Sequence, residues 1–293
     1  MIYEIRHQIE YRYSVPVYLE PHLLHLLPRT DAAQTLKRFA LRLEPEPLLI
    51  NTIMDGLGNP AQEVWFRGMT DRLFMESCSV VDVIRQNPFD YLLRDSSLRI
   101  PAGYPQALMP FLAPYRTEKN EHDKVLEFAE QAVNRSGRET VAFLSELCLQ
   151  IRRTIKNISR LDGDPWEPVK TLTQGKGACR DLAVLFMACC RAQGLAARFT
   201  SGYADGASSL DGHELHAWVE VYLEGAGWRG YDPTTGMAVC EQHVAVASSP
   251  DPQLVTPVMG TLRSNTATSI LRTWVSIRAQ TDLPSPSAYQ SVA

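Results

Sequence analysis

A chain of 293 residues is long enough for one large or two ordinary domains, each with a sizeable core. Its 45% apolar and 21% charged residues fit a soluble globular protein, and a net charge of −4 with no Lys- or Arg-dense block gives no electrostatic reason to bind nucleic acid or an anionic membrane. Six irregularly spaced cysteines are too few for a disulfide scaffold, so a cytoplasmic location is the expectation.

The opening residues lack the apolar core of a signal peptide. The longest apolar run, Leu182 to Cys190, is nine residues, against the roughly 20 needed to span a bilayer. No membrane segment is therefore expected.

Residues 1 to about 85 read as strands. In IYEIRHQIEYRY, the residues Tyr3, Ile5, His7, Ile9 and Tyr11 share one parity, and TLKRFALRLEPEP and LFMESCSVVDVI alternate similarly. Asp-Gly and Gly-Asn-Pro turn signals separate them within MDGLGNPAQEVWF. The pattern predicts an N-terminal antiparallel β-sandwich or half-barrel over residues 1–100. Five prolines between positions 86 and 118 then mark a loop-like boundary.

A second domain, 101–245, is predicted to be α+β. EKNEHDKVLEFAEQAVN carries helical spacing, as do Val141, Leu144, Leu147, Cys148 and Ile151 in the next segment. After a further helix come AARFTSGY, HAWVEVYL and GWRGYD, which read as strands. The tail, 246–293, is predicted to be mostly loop with one returning strand, ILRTWVSIRAQ.

The stretch GKGACRDLAVLFMACC holds three of the six cysteines. Leu182, Leu185, Phe186, Cys189 and Cys190 fall on one helical face, and Ala183, Val184, Met187 and Ala188 make the other faces apolar too. Such a helix is buried, with Gly194 as its C-terminal stop. Cys189 and Cys190 then behave as small hydrophobes. Cys179 differs, because it falls at the first turn, where unpaired N–H groups and the helix dipole favour a thiolate. Gly175 and Gly177 allow a tight approach, and Asp181 suits the dipole.

A cysteine nucleophile needs a base. His216 opens HAWVEVYLEGAGW, whose odd residues, Ala217, Val219, Val221 and Leu223, form an aliphatic face. The imidazole is expected on the opposite face, toward the helix that begins at Cys179. A hairpin leads to Asp232, just before Pro233. If Tyr222 lies opposite Trp228, Asp232 becomes the diagonal neighbour of His216 and can orient it. Cys179, His216 and Asp232 are then nucleophile, base and orienter, with turn formation before Pro the competing reading of Asp232. His213 reads as a polar loop residue. Trp166, Tyr203, Trp218, Trp228 and Tyr231 flank the site, and core or rim packing is the expectation for most of them.

GKGACRDLAVLFMACCRAQGLAARFTSGY followed by HAWVEVYLEGAGWRGYDPTTG resembles the transglutaminase-like superfamily, over roughly residues 170 to 236. YSVPV, LLHLLPRT and DGLGNP resemble the N-terminal domain of many bacterial members. The resemblance implies a papain-like core and a catalytic triad of Cys179, His216 and Asp232. It also implies acyl transfer through a thioester, with a peptide or protein amide as substrate. Hydrolysis is the leading expectation, amine transfer by a true transglutaminase is the alternative, and a binding scaffold is the non-enzymatic one. The Cys179 N–H is the expected oxyanion donor, and Gln174 and Trp166 are candidates for a second. No cofactor is expected, no calcium-loop pattern is present, and a zinc site is disfavoured for lack of converging ligands.

Overall fold

The computed structural model describes residues 1–116, 123–160, 163–206, 215–264 and 266–280. Five strands come first: β1 (Ile2–Leu24), β2 (Gln34–Glu44), β3 (Leu49–Met54), β4 (Pro60–Trp65) and β5 (Met69–Val83). They lie in the order β2-β5-β1-β4-β3, all antiparallel. The alternation in β1 is expressed directly: Tyr3, Ile5, His7 and Ile9 are buried and their neighbours are more exposed.

β1 changes partners along its length. Residues 2–12 pair with β5, the register shifts between Arg12 and Val17, and His22 to Leu24 pair with β4. Ile9, Val17 and Leu24, from both halves of β1, meet Val64, Leu73 and Met75 in one core. The N-terminal region is therefore a bent sheet wrapped around its own apolar interior.

Among its described residues, the proline-rich connection holds single turns and α1 (Met109–Leu112). Then follow α2 (Asp123–Arg135), α3 (Thr140–Thr154), β6 (Lys156–Asn157), α4 (Pro168–Gln174), β7 (Lys176–Gly177) and α5 (Cys179–Ala192). The predicted start of the first long helix, before Asp123, lies outside the described residues. In α3, Leu144, Leu147, Cys148 and Ile151 are buried as their spacing predicts, but Phe143 takes the place expected for Val141.

The remaining strands are β8 (Ala197–Ala204), β9 (His216–Leu223), β10 (Gly227–Asp232), β11 (Met237–Ala238), β12 (His243–Ser249), β13 (Val258–Arg263) and β14 (Ser269–Gln280). β8 to β12 form a five-stranded sheet in the order β11-β10-β9-β8-β12. α5 packs on it as the all-round apolar pattern requires. Leu185, Phe186, Cys189 and Cys190 are wholly buried, and the Phe186 ring stacks on Tyr231 at 6.0 Å.

The expected tail with one returning strand is corrected. β12 begins inside the second sheet, and both β13 and β14 return to the first sheet, where each pairs with β1. β14 runs alongside β1 from Ile2↔Gln280 to Tyr13↔Ser269. β12 and β13 escaped notice because HVAVASS is rich in Ala and Ser, and VMGTLR is interrupted by Gly260. Val244 and Val246 are the only β-branched residues of the first, and neither segment holds an aromatic of the kind that marks a strand.

Candidate functional site

α4 stops at Gly175, whose φ of +60° is the left-handed conformation common after a helix end. Two residues on, a Cβ at Gly177 would stand 2.9 Å from the Asp181 Cβ, so glycine lets the turn close onto the next helix. Asp181 is fully buried. Its Oδ2 accepts from the Ala178 N–H at 2.8 Å, one half of a capping box. Its Oδ1 accepts from Arg160 Nη2 at 2.6 Å and from the Trp166 N–H at 2.8 Å. Beyond suiting the helix dipole, Asp181 fastens the preceding loop to the helix start. Cys179 is thereby fixed as the first residue of α5, half-buried, with Sγ 4.0 Å from the Leu215 carbonyl oxygen.

The β9–β10 hairpin has the expected register. Trp228 pairs with Tyr222 and Tyr231 with Val219. Leu223 and Gly227 also pair, so the loop is shorter than the five residues expected but still odd in length. His216 Nε2 donates to Asp232 Oδ2 at 2.9 Å, and the Thr234 N–H donates to Asp232 Oδ1 at 2.8 Å. Cys179 and His216 line one cleft, and the thiol is among the groups that favour a charged imidazole. The structure thus brings Cys179, His216 and Asp232 together.

The expectation that α5 covers the His216 face of β9 is overturned. α5 lies on the odd face, shown by Phe186 against Tyr231, which pairs with Val219. The even face instead points Glu220 at Arg198 and at Arg29 from the N-terminal region. His216 reaches Cys179 because it is the first residue of its strand, at the sheet rim beside the helix N-terminus. The aliphatic residues of the odd face pack on the helix for the ordinary reason that both are apolar.

His243, in β12, is the residue that the sequence did not disclose. Its Nε2 donates to the same Asp232 Oδ2, at 3.2 Å. His216, Asp232 and His243 are all buried. Burial opposes a charge on His216, but the Asp232 carboxylate, its hydrogen bond to the imidazole and the nearby Cys179 outweigh it and push the imidazole up to about 10. Burial likewise opposes ionisation of Asp232. The His216 charge and the bonds from both histidines win, and hold its carboxyl well below the usual carboxylate range. Among the described residues, this trio has ligand-type atoms within 4.8 Å of one another. A metal ion there would have to displace the hydrogen bonds that tie both imidazoles to Asp232.

A cleft of about 400 Å³ opens over Cys179 and His216. Neither candidate for a second oxyanion donor lines it. Gln174 is exposed at the end of α4. The Trp166 N–H is engaged by Asp181, and its ring lies 4.3 Å from Lys170 Nζ. Tyr203, Trp218 and Tyr231 are core residues, and Trp228 packs against Tyr115 and Tyr222. His213 lies outside the described residues.

A half-buried cysteine opening a buried helix, met by a carboxylate-bound histidine at the rim of an antiparallel sheet, defines a papain-like α+β core. Residues 127–233 match the model of the transglutaminase-like superfamily, and residues 3–82 match the bacterial transglutaminase-like N-terminal region. Residues 127–233 are thus a domain of the transglutaminase-like superfamily, behind an N-terminal region of the bacterial type. Uncharacterized proteins of Mycobacterium tuberculosis and Mycobacterium bovis are each 29% identical to it, over 92% of this chain and 90% of theirs. The crystal structure of a proposed cysteine protease from Cytophaga hutchinsonii shares the fold at 20% identity and a TM-score of 0.68, covering 97% of this chain and 93% of that one.

Proposed function

We propose that this protein is a cysteine-dependent amide hydrolase, with Cys179 as nucleophile, His216 as general acid and base, and Asp232 as orienter. The observation that carries the reading is the buried His216 imidazole bound to the Asp232 carboxylate at a cleft that Cys179 also lines. A protonated His216 stabilises the Cys179 thiolate electrostatically.

The chemistry then runs in two halves. The thiolate attacks the amide carbonyl carbon, and the oxyanion is met by the Cys179 backbone N–H at the start of α5. His216 gives its proton to the departing amine as the C–N bond breaks, leaving a thioester. Water attacks the thioester while His216 takes its proton. The C–S bond breaks, the carboxylic acid leaves and the ion pair is restored. Asp232 keeps the imidazole oriented and stabilises its charge throughout.

Mass spectrometry of peptides incubated with the protein and excess primary amine tests the choice of acceptor. Chain cleavage or a deamidation shift, abolished in Cys179→Ala, is the expected result. Amine incorporation would make the protein a transglutaminase. No Cys179-dependent product of any kind would leave the binding scaffold. Six free cysteines fit a reducing compartment, and we place the enzyme in the cytoplasm on that ground. No helix among the described residues is long and apolar enough to cross a membrane.

A further inference from the structure

The cleft over Cys179 is not built by the catalytic core alone. His7, Ile9 and Tyr11 of β1 line it, together with Leu271 and Thr273 of β14. These five residues form one facet, because Ile9 pairs with Thr273 and Tyr11 with Leu271. The N-terminal sheet, completed by the returning C-terminal strand, therefore walls the site.

That wall carries no charge. The polar atoms of His7 are spent within the protein: Nδ1 meets the Tyr203 hydroxyl at 3.2 Å and Nε2 meets Thr273 Oγ1 at 3.1 Å. Burial drives the His7 imidazole down to about 3, so the ring is neutral. Besides Cys179 and His216, the charged side chains that line the cleft are Asp164 and Arg180, and all four come from the catalytic core. Phe199 and Val258 extend the apolar lining. A volume of about 400 Å³ falls within the roughly 300–1,000 Å³ of small-molecule sites.

We propose that this facet binds the side chain on the acyl side of the scissile amide, and that it selects an uncharged aliphatic or aromatic residue. Resting on the assignment of Cys179 as nucleophile, the inference follows from continuity. A carbonyl carbon placed at Sγ has its acyl substituent inside the cleft, and a charged side chain against Ile9, Tyr11 and Leu271 would lose its water with no partner in return. An apolar side chain gains from the same burial.

Aminoacyl chloromethyl ketones test this without requiring turnover, since each alkylates a cysteine thiolate and releases chloride. Reagents bearing Leu, Phe, Glu or Lys side chains are compared by mass spectrometry of Cys179. Each rate is taken relative to iodoacetamide on the same protein. The Leu and Phe reagents should label Cys179 at least tenfold faster than the Glu and Lys reagents. Leu271 is 38% exposed, so Leu271→Glu can be made without burying its charge. It should slow the Leu and Phe reagents and speed the Lys reagent. Equal labelling by all four, an unchanged preference in Leu271→Glu, or no labelling of Cys179 would overturn the inference. Selective labelling without amide turnover would instead sink the hydrolase reading and leave the cleft assignment standing. Turnover with no side-chain preference would do the reverse.

Discussion

His243 and His216 donate to one and the same oxygen of Asp232, at 3.2 and 2.9 Å. The carboxylate is thus held by two imidazoles from strands that are not neighbours, with the Thr234 N–H on its other oxygen. A hydrogen bond to a charged group is worth about 1.5–3 kcal/mol. His243→Phe should therefore lower kcat by about tenfold or more while KM holds, because His243 does not line the cleft over Cys179. His243→Gln, which keeps an N–H donor, should recover most of the rate. An equal loss in both variants, tracking a fall in melting temperature, would reduce His243 to a packing role.

Asp232→Asn separates orientation from charge. The amide can still meet His216, but it cannot stabilise the imidazolium, and it favours the wrong tautomer. In a serine protease triad the corresponding change costs about 10⁴ in kcat. A loss of that order is expected here, together with slower alkylation of Cys179 by iodoacetamide near neutral pH. Alkylation at the wild-type rate would show that the thiolate does not depend on this pair.

The same pair sets a pH window. His216 is raised from 6.5 to about 10 in the folded protein, so its contribution to stability is complete below pH 6.5 and is lost as pH rises toward 10. Asp232 is lowered from 3.8, so its contribution is complete only above that value and fades as pH falls further. Melting temperature should therefore peak between these limits. The alkaline decline should be shallower in His216→Gln, and the acid decline shallower in Asp232→Asn. The alkaline limb of kcat should fall near pH 10, as His216 loses the proton it gives to the leaving amine.

What could be read without coordinates follows from where each signal resides. Cys179, His216 and Asp232 lie at element ends, marked by Gly177, by the start of an alternating run and by Pro233, so local pattern located them. The register of the hairpin followed from parity alone, because one slip would have turned Asp232 to the other face. His243 was illegible for a different reason. It reaches Asp232 across the sheet from β12, and β12 is built of small residues with little strand signature. The face that α5 covers was misjudged because alternation separates two faces without saying which neighbour takes which. The wall made by Tyr11 and Leu271 depends on a pairing between residues some 260 positions apart, for which the sequence offers no local sign.

The junction between the two sheets is itself testable. Glu220 on β9 is buried and accepts from Arg198 Nε at 2.8 Å, from Ser248 Oγ at 3.3 Å and from Arg29 of the N-terminal region. Arg29 also donates to Ser248 Oγ at 2.6 Å. Burial opposes the Glu220 charge, but the two guanidiniums prevail and bring its carboxyl down to about 2. Removing one partner of such a set leaves the others buried without compensation, a loss of about 3–5 kcal/mol. Asp31 still pairs with Arg29, at 2.6 Å, so Glu220→Gln should fall at the lower end of that range in urea unfolding. Arg29 ties the N-terminal region to β9, so Glu220→Gln is also expected to weaken the discrimination between Leu and Lys chloromethyl ketones. Lost stability with intact discrimination would show that the β1–β14 ladder positions the wall without help from the Arg29–Glu220 contact.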